Sequence, residues 1–168
     1  MPVFRLTSEL IFPDPRWATA EGLLAVGGDL SPERLVLAYK LGIFPWYGED
    51  EPIMWWSPDP RCVLLPKHVR VSRRLERVVK QKRFQLTCNR AFSQVVEACA
   101  NVRIDNGEET WLITEMQRAY QKLFQLGFAH SVEAWSGNDL VGGLYGVALG
   151  KFFFGESMFH TQTNASKV

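Results

Sequence analysis

G-I-F-P-W-Y-G-E-D-E-P-I-M-W-W-S-P-D-P-R, residues Gly42 to Arg61, gathers Phe44, Trp46, Tyr47, Trp55 and Trp56 with Pro45, Pro52, Pro58 and Pro60. Proline at that density forbids a helix and interrupts any strand. Rings carried on irregular backbone must still pack on something. They either close the protein's own core at a domain corner or face a ligand with an apolar or stacking surface. The residues alone leave both readings open.

Upstream, Ser31-Pro32-Glu33-Arg34 reads as a helix start, with Ser as N-cap and Pro at the first helical position. The helix carries Leu35, Ala38 and Tyr39 on one side and ends at Gly42, which points Tyr39 towards the aromatic stretch. Gly22–Asp29 is glycine-rich and apolar, but no Lys-Ser/Thr follows Gly28, so it is not a phosphate loop. Met1 to Glu21, with Pro13 and Pro15 and little periodicity, reads as an extended arm.

Downstream, the apolar run Cys62–Pro66 is expected to be a strand leading into a second domain. Charge changes sign there. Residues 1–61 hold 5 Lys/Arg against 9 Asp/Glu, residues 62–103 hold 10 against 2, and residues 104–168 hold 4 against 7. The boundary is therefore placed at Arg61–Cys62, giving a small N-terminal α+β domain over 1–61 and a larger domain over 62–168. Ser72 is expected to cap a helix to about Lys82, with Leu75, Val78 and Val79 inward and Arg73, Arg74, Arg77, Lys80 and Lys82 outward. Only Glu76 interrupts that cationic run. A solvated face normally mixes both signs, so the imbalance favours a surface for a polyanion, with Arg73, Arg74, Lys80, Lys82 and Arg83 as candidate RNA contacts.

Phe84–Thr87 alternates like a strand, and Asn89 is expected to cap a helix with Phe92, Val95, Val96 and Cys99 inward. Asn101–Glu109 reads as a polar loop. Thr114-Glu115-Met116-Gln117 reads as a capping box, and the stripe Met116, Ala119, Tyr120, Leu123, Phe124 runs to a stop at Gly127. The rest is β-rich: a strand over Ser131–Trp135, a turn at Gly137-Asn138, a strand over Leu140–Leu149, a turn at Gly150 and a strand over Phe152–Phe159. Glu156 stands among apolar residues in F-F-F-G-E-S-M-F, as either a paired structural charge or a functional acid.

Hydrophobic content of 46% and charged content of 22% suit an ordinary globular protein. No apolar run approaches the roughly 20 residues of a membrane span. The N-terminus lacks the basic head and apolar run of a signal peptide, so a cytoplasmic location is expected. Cys62, Cys88 and Cys99 are too scattered for a disulfide framework, and His68, His130 and His160 show no metal-ligand spacing.

Six stretches together resemble the leucyl/phenylalanyl-tRNA–protein transferase family. They are G-L-L-A-V-G-G-D-L-S-P (Gly22–Pro32), G-I-F-P-W with W-W-S-P-D-P-R, E-T-W-L-I-T (Glu109–Thr114), L-V-G-G-L-Y-G-V (Leu140–Val147), F-G-E-S-M-F (Phe154–Phe159) and N-A-S-K (Asn164–Lys167). They occur in family order along nearly the whole chain. The resemblance implies a GNAT-like acyltransferase domain with a mixed sheet after the small domain, and a chain truncated in its C-terminal part. The family's proposed aspartate and glutamine would lie in that part.

The resemblance also implies the reaction. Leu or Phe, with Met as a further donor, moves from aminoacyl-tRNA to the N-terminal Arg or Lys of a protein and marks it for N-degron proteolysis. The donor ester is already activated, so no cofactor, metal or nucleophilic cysteine is required. Partners are Leu-tRNA or Phe-tRNA and proteins with N-terminal Arg or Lys. Trp46 and Trp111 would stack on the adenosine or the aminoacyl end; Phe44, Tyr39, Tyr120, Leu144 and Phe153 would line the amino-acid pocket; Glu156 would orient or receive a proton from the α-amine. Two other classes are a GNAT-type acetyl-CoA N-acetyltransferase and a non-catalytic RNA-binding domain. H-T-Q-T-N-A-S-K after Phe159 has no glycine for a pyrophosphate loop, which argues against the first. The second leaves the aromatic stretch and Glu156 unexplained.

Overall fold

The structure is a computed structural model that describes residues 3–105, 107 and 110–168. The chain forms two compact units, Met1–Cys62 with Glu109–Lys122, and Val63–Glu108 with Leu123–Val168.

The first unit holds a four-stranded mixed sheet. Its strands are β1 (Phe4–Leu6), β2 (Leu23–Gly27), β3 (Phe44–Pro45) and β4 (Met54–Trp56), in the order β1-β2-β4-β3. β1 pairs parallel to β2, and the other pairs are antiparallel. The expected extended arm thus supplies a strand, and the glycine-rich stretch supplies another. The proline-rich stretch also differs from expectation: it makes two very short strands, with Trp56 opposite Phe44 and Trp55 opposite Pro45. Pro45 is tolerated because two residues of strand demand few ladder bonds. Trp55 is wholly buried and donates from Nε1 to the Gly27 carbonyl at 2.8 Å, while Phe12 meets its ring edge-on.

Helix α1 (Pro32–Lys40) forms as its residues dictate. Ser31 Oγ accepts from the Arg34 amide, Leu35, Ala38 and Tyr39 are buried, and Gly42 turns the chain at φ +76°. Arg34 is buried too and donates to the Thr7 carbonyl at 2.9 Å and to Asp29 Oδ2 at 3.3 Å.

In the second unit α2 (Arg73–Lys80) starts at Ser72, whose hydroxyl accepts from the Leu75 amide. Of the expected inward residues only Val78 is buried; Leu75 is half-buried and Val79 exposed. Cys62–Pro66 is not a strand. Val63, Leu64 and Leu65 are exposed and have no ladder partner among the described residues, and Pro66 opens a 3₁₀ turn instead.

A sheet of β5 (Gln85–Cys88), β6 (Ala129–Ser136), β7 (Asp139–Leu149) and β8 (Phe152–His160) follows in sequential order. Every pair is antiparallel, so the mixed sheet expected in this domain is corrected. Tight turns at Gly137 (φ +62°) and Gly150 (φ +60°) join the last three strands, and such turns allow only antiparallel neighbours. Between β5 and β6 the chain makes two helices rather than the single crossover helix that a parallel pair needs.

Helix α3 (Phe92–Asp105) lies on β6, β7 and β8. Phe92, Val95, Val96 and Cys99 are buried. Helix and sheet approach closely at Gly143, where a Cβ would stand 3.0 Å from Val95 Cγ2. The helix runs on to Asp105 where a loop from Asn101 was expected, because the sequence offers neither Gly nor Pro before Gly107. Asn106, Glu108 and Glu109 of that expected loop lie outside the described residues.

Helix α4 (Thr114–Gln125) carries the expected buried stripe of Met116, Ala119, Tyr120 and Leu123. Its expected capping box is replaced by another contact: Gln117 Nε2 donates to the Leu112 carbonyl at 2.9 Å.

Candidate functional site

The β7–β8 hairpin carries a local irregularity that places Glu156. Ser157 pairs with Tyr145 and Gly155 with Gly146, so Glu156 is the extra residue of a bulge in β8. An extra residue of this kind re-aims its side chain and sharpens the local twist. Glu156 is half-buried. An open cavity of about 340 Å³ lies beside it, lined by Leu144, Phe153 and Met158 as its apolar walls, with Tyr145, Gly155 and Ser157 completing the rim. Leu144 and Met158 are opposite each other across the ladder. Phe153 is half exposed. A Cβ at Gly155 would meet nothing within 4 Å, so the backbone there lies open to a ligand.

Three sequence candidates, Leu144, Phe153 and Glu156, therefore share one cavity. Met158, Tyr145 and Ser157 escaped notice. Met158 was readable, because strand alternation puts it on the face of Glu156; Tyr145, opposite Ser157 in the ladder, is wholly buried, and no local pattern marks it as lining the cavity.

Tyr145 also ties the cavity to the helix behind the sheet. Phe92, in the first turn of α3, meets Tyr145 edge-on at 5.9 Å and stacks on Phe124 at 4.3 Å. The start of α3 is held by Glu133, a wholly buried carboxylate on β6. It accepts from Ser131 Oγ at 2.6 Å, Thr87 Oγ1 at 2.5 Å and the Ala91 amide at 3.3 Å. Burial alone would raise its pKa, but these bonds and one from the Arg90 amide more than offset that and hold it below the ordinary value. Asn89, the expected cap, does other work: at φ +59° its side-chain oxygen accepts from the Ser131 amide.

The remaining aromatic candidates lie in the first unit, and they fall into two groups. Tyr39 and Tyr120 are buried with their hydroxyls 2.9 Å apart. Trp111, half-buried, meets Tyr120 edge-on at 6.2 Å. Within this unit Tyr120 thus links the Trp111 ring to Tyr39. The second group is at the surface. Trp46 is 50% exposed, and its carbonyl accepts from Trp56 Nε1 at 2.7 Å. The two indoles meet edge-on at 5.7 Å, and Phe44 is half-buried across the ladder from Trp56. Tyr47, beside Trp46, is buried and donates to Glu115 Oε2 at 3.1 Å. Burial, the Glu115 charge and this bond push its phenol pKa up, so Tyr47 remains a protonated donor.

Arg73, Arg74, Lys80, Lys82 and Arg83 are all exposed on and after α2. Lys80 Nζ is paired with Glu76 Oε1 at 2.7 Å. Among the described residues the other four have no carboxylate partner, nor has Arg77 on the same helix.

No described helix is long and apolar enough to cross a membrane. Among the described residues no three His, Cys, Asp or Glu side chains gather into a metal-binding set.

The protein is a two-unit α+β protein whose second unit carries an open cavity with apolar walls beside one carboxyl. The leucyl/phenylalanyl-tRNA protein transferase family matches residues 63–168, and the N-terminal domain of the same family matches residues 28–59. Proteins called leucyl/phenylalanyl-tRNA–protein transferase are similar over the whole chain. The one from Desulfatibacillum aliphaticivorans is 59% identical, and that from Syntrophobacter fumaroxidans 58%, over all 168 residues here and 72% of each relative. The one from Solidesulfovibrio magneticus is 56% identical over 68% of its length. The chain belongs to the leucyl/phenylalanyl-tRNA–protein transferase family.

Proposed function

We propose that this protein transfers Leu or Phe from aminoacyl-tRNA to the N-terminal Arg or Lys of proteins, marking them for N-degron proteolysis. The observation that carries the reading is the cavity at the β7–β8 hairpin, where Leu144, Phe153 and Met158 offer apolar walls and Glu156 a carboxyl. An aminoacyl group has these two needs: a place for an apolar side chain and a polar partner for its α-amine. A missing methylene costs an apolar pocket only about 1–3 kcal/mol, so one site accepts both Leu and Phe.

In the reaction the acceptor's α-amine attacks the ester carbonyl. A peptide bond forms, the bond between the acyl carbon and the ribose oxygen breaks, and one proton lost by the attacking nitrogen is balanced by one gained by the released ribose hydroxyl. Glu156 orients the donor or acceptor amine or receives that proton. Trp46 and Trp111 supply stacking faces for the terminal adenosine, with Tyr39 and Tyr120 supporting Trp111 and Phe44 beside Trp56. The cations at Arg73, Arg74, Lys80, Lys82 and Arg83 take acceptor-stem phosphates without reading sequence.

The larger domain is proposed to be GNAT-like, with its acyl donor beside the irregular β7–β8 pair, and the domain division is placed at Arg61–Cys62. The separate family matches on either side of that point support the division. A cytoplasmic location is proposed because both donor and acceptor occur there. The test is transfer of labelled Phe from Phe-tRNA to a peptide beginning with Arg, with acetyl-CoA turnover as the control. Acetyl transfer without Phe transfer would replace this reading.

A further inference from the structure

We infer that Arg61, held over the ring of Phe44, is a phosphodiester-binding residue that takes the backbone beside the base stacked at Trp46. The Arg61 guanidinium carbon stands 4.5 Å from the Phe44 ring centroid, and the residue is exposed. Stacking on a ring occupies only the face of the guanidinium. Its N–H donors radiate in the plane and stay available. Among the described residues no carboxylate or carbonyl accepts from them.

The surroundings favour one kind of ligand. Phe44 pairs with Trp56, and Trp56 holds the Trp46 backbone and meets its ring, so a fixed cation and a half-exposed indole belong to one patch of the first unit. Base stacking and a planar phosphate donor side by side suit single-stranded nucleic acid. The local charge balance sharpens this. Residues 1–61 carry 5 cations against 9 acids. Arg16 is spent on Asp14, and Arg34 is buried on Thr7 and Asp29. Arg5, Lys40 and Arg61 remain exposed, and of these Arg61 is the one seated on a ring of this patch. The ligand is then the single-stranded 3′ end of the donor tRNA, which rests on the function proposed above.

The experiment titrates tryptophan fluorescence of the full chain with adenosine and with a C-C-A trinucleotide, which adds phosphodiesters to the same terminal base. For Arg61→Ala, trinucleotide affinity should fall about tenfold, the worth of one charge-assisted hydrogen bond. Its salt slope should flatten by about 0.7, the single-strand value for one phosphate neutralised. Adenosine affinity should not change. Arg61→Lys should fall between, because it keeps the charge and loses the stacked plane. An equal loss for both ligands, or no loss for either, would overturn the Arg61 assignment and leave the stacking site standing. Failure of the unaltered protein to bind either ligand would overturn both.

Discussion

The ring of Phe153 lies against the α-carbon of Gly146, where a Cβ would stand 2.6 Å from Phe153 Cζ and closer still to the Phe154 carbonyl oxygen. Gly146 is also the residue at which the ladder shifts and Glu156 becomes the extra residue of β8. One hydrogen in place of a methyl group thus lets the ring lie flat and the strand bulge together. Gly146→Ala should cost about 1–3 kcal/mol, the usual range for overpacking, and should lower Phe transfer more than that loss of folded protein explains. Urea melts beside transfer rates check this. Normal transfer would show that the hairpin adjusts without moving Glu156.

Glu133 gives a pH prediction. Its folded pKa lies below the ordinary value of 4.5. The stability it contributes is therefore present above about that pH and lost as pH falls through the folded value. Glu133→Gln removes the charge and leaves the Ser131, Thr87 and Ala91 donors with a weaker acceptor, at a cost of about 1–3 kcal/mol at neutral pH. Its stability should fall less steeply than the parent's below pH 4.5. Parallel acid limbs in urea melts from pH 3.5 to 7 would assign the acid sensitivity to other carboxyls.

These two residues also mark where the sequence stops being legible. The β6–β7–β8 meander could be read because its signals are local: alternation with Gly137-Asn138 and Gly150 between runs. Helix α1 could be read from Ser31-Pro32. The start of α3 could not, because its carboxylate partner, Glu133, arrives from β6 after two further helices, and Asn89 is the nearer and equally plausible cap. Val63-Leu64-Leu65 reads as a strand by composition, yet a strand needs a partner edge, which composition does not reveal. Leu144, Phe153 and Glu156 could be named from a motif, but their meeting at one cavity depends on the register shift at Gly146. Trp55 and Trp46 occupy the same proline-rich stretch, and only the fold sends one inward and the other out.

The basic surface should show the pairing of Lys80. Replacing Arg73, Arg74 and Lys82 with Ala should weaken tRNA binding and lower the slope of log K against log salt by up to about 0.9 for each phosphate no longer neutralised. Lys80→Ala alone should do less than Arg73→Ala, since Glu76 already offsets the Lys80 charge. An unchanged slope in the triple variant would remove this surface from tRNA binding.

The contrast between Trp55 and Trp46 gives the sharpest test of the aromatic stretch. Trp55 is wholly buried, with its Nε1 on Gly27, so Trp55→Ala should cost about 3–5 kcal/mol. Its remaining folded fraction should transfer Phe at a near-normal rate, because its ring faces no ligand. Trp46 keeps half its surface in solvent, so Trp46→Ala leaves a smaller void and should cost clearly less. If Trp46 stacks on the donor's terminal base, its loss should raise the KM for aminoacyl-tRNA by about 1–3 kcal/mol of binding, roughly 5- to 150-fold. Trp111 is the intermediate case: half-buried against Tyr120, it should lose both some stability and some transfer on truncation. Melting curves paired with peptide-transfer kinetics separate the three. A large fall in stability for Trp46→Ala, with normal KM for the folded fraction, would return that ring to a structural role and leave the stretch from Gly42 to Arg61 as a corner of the first unit.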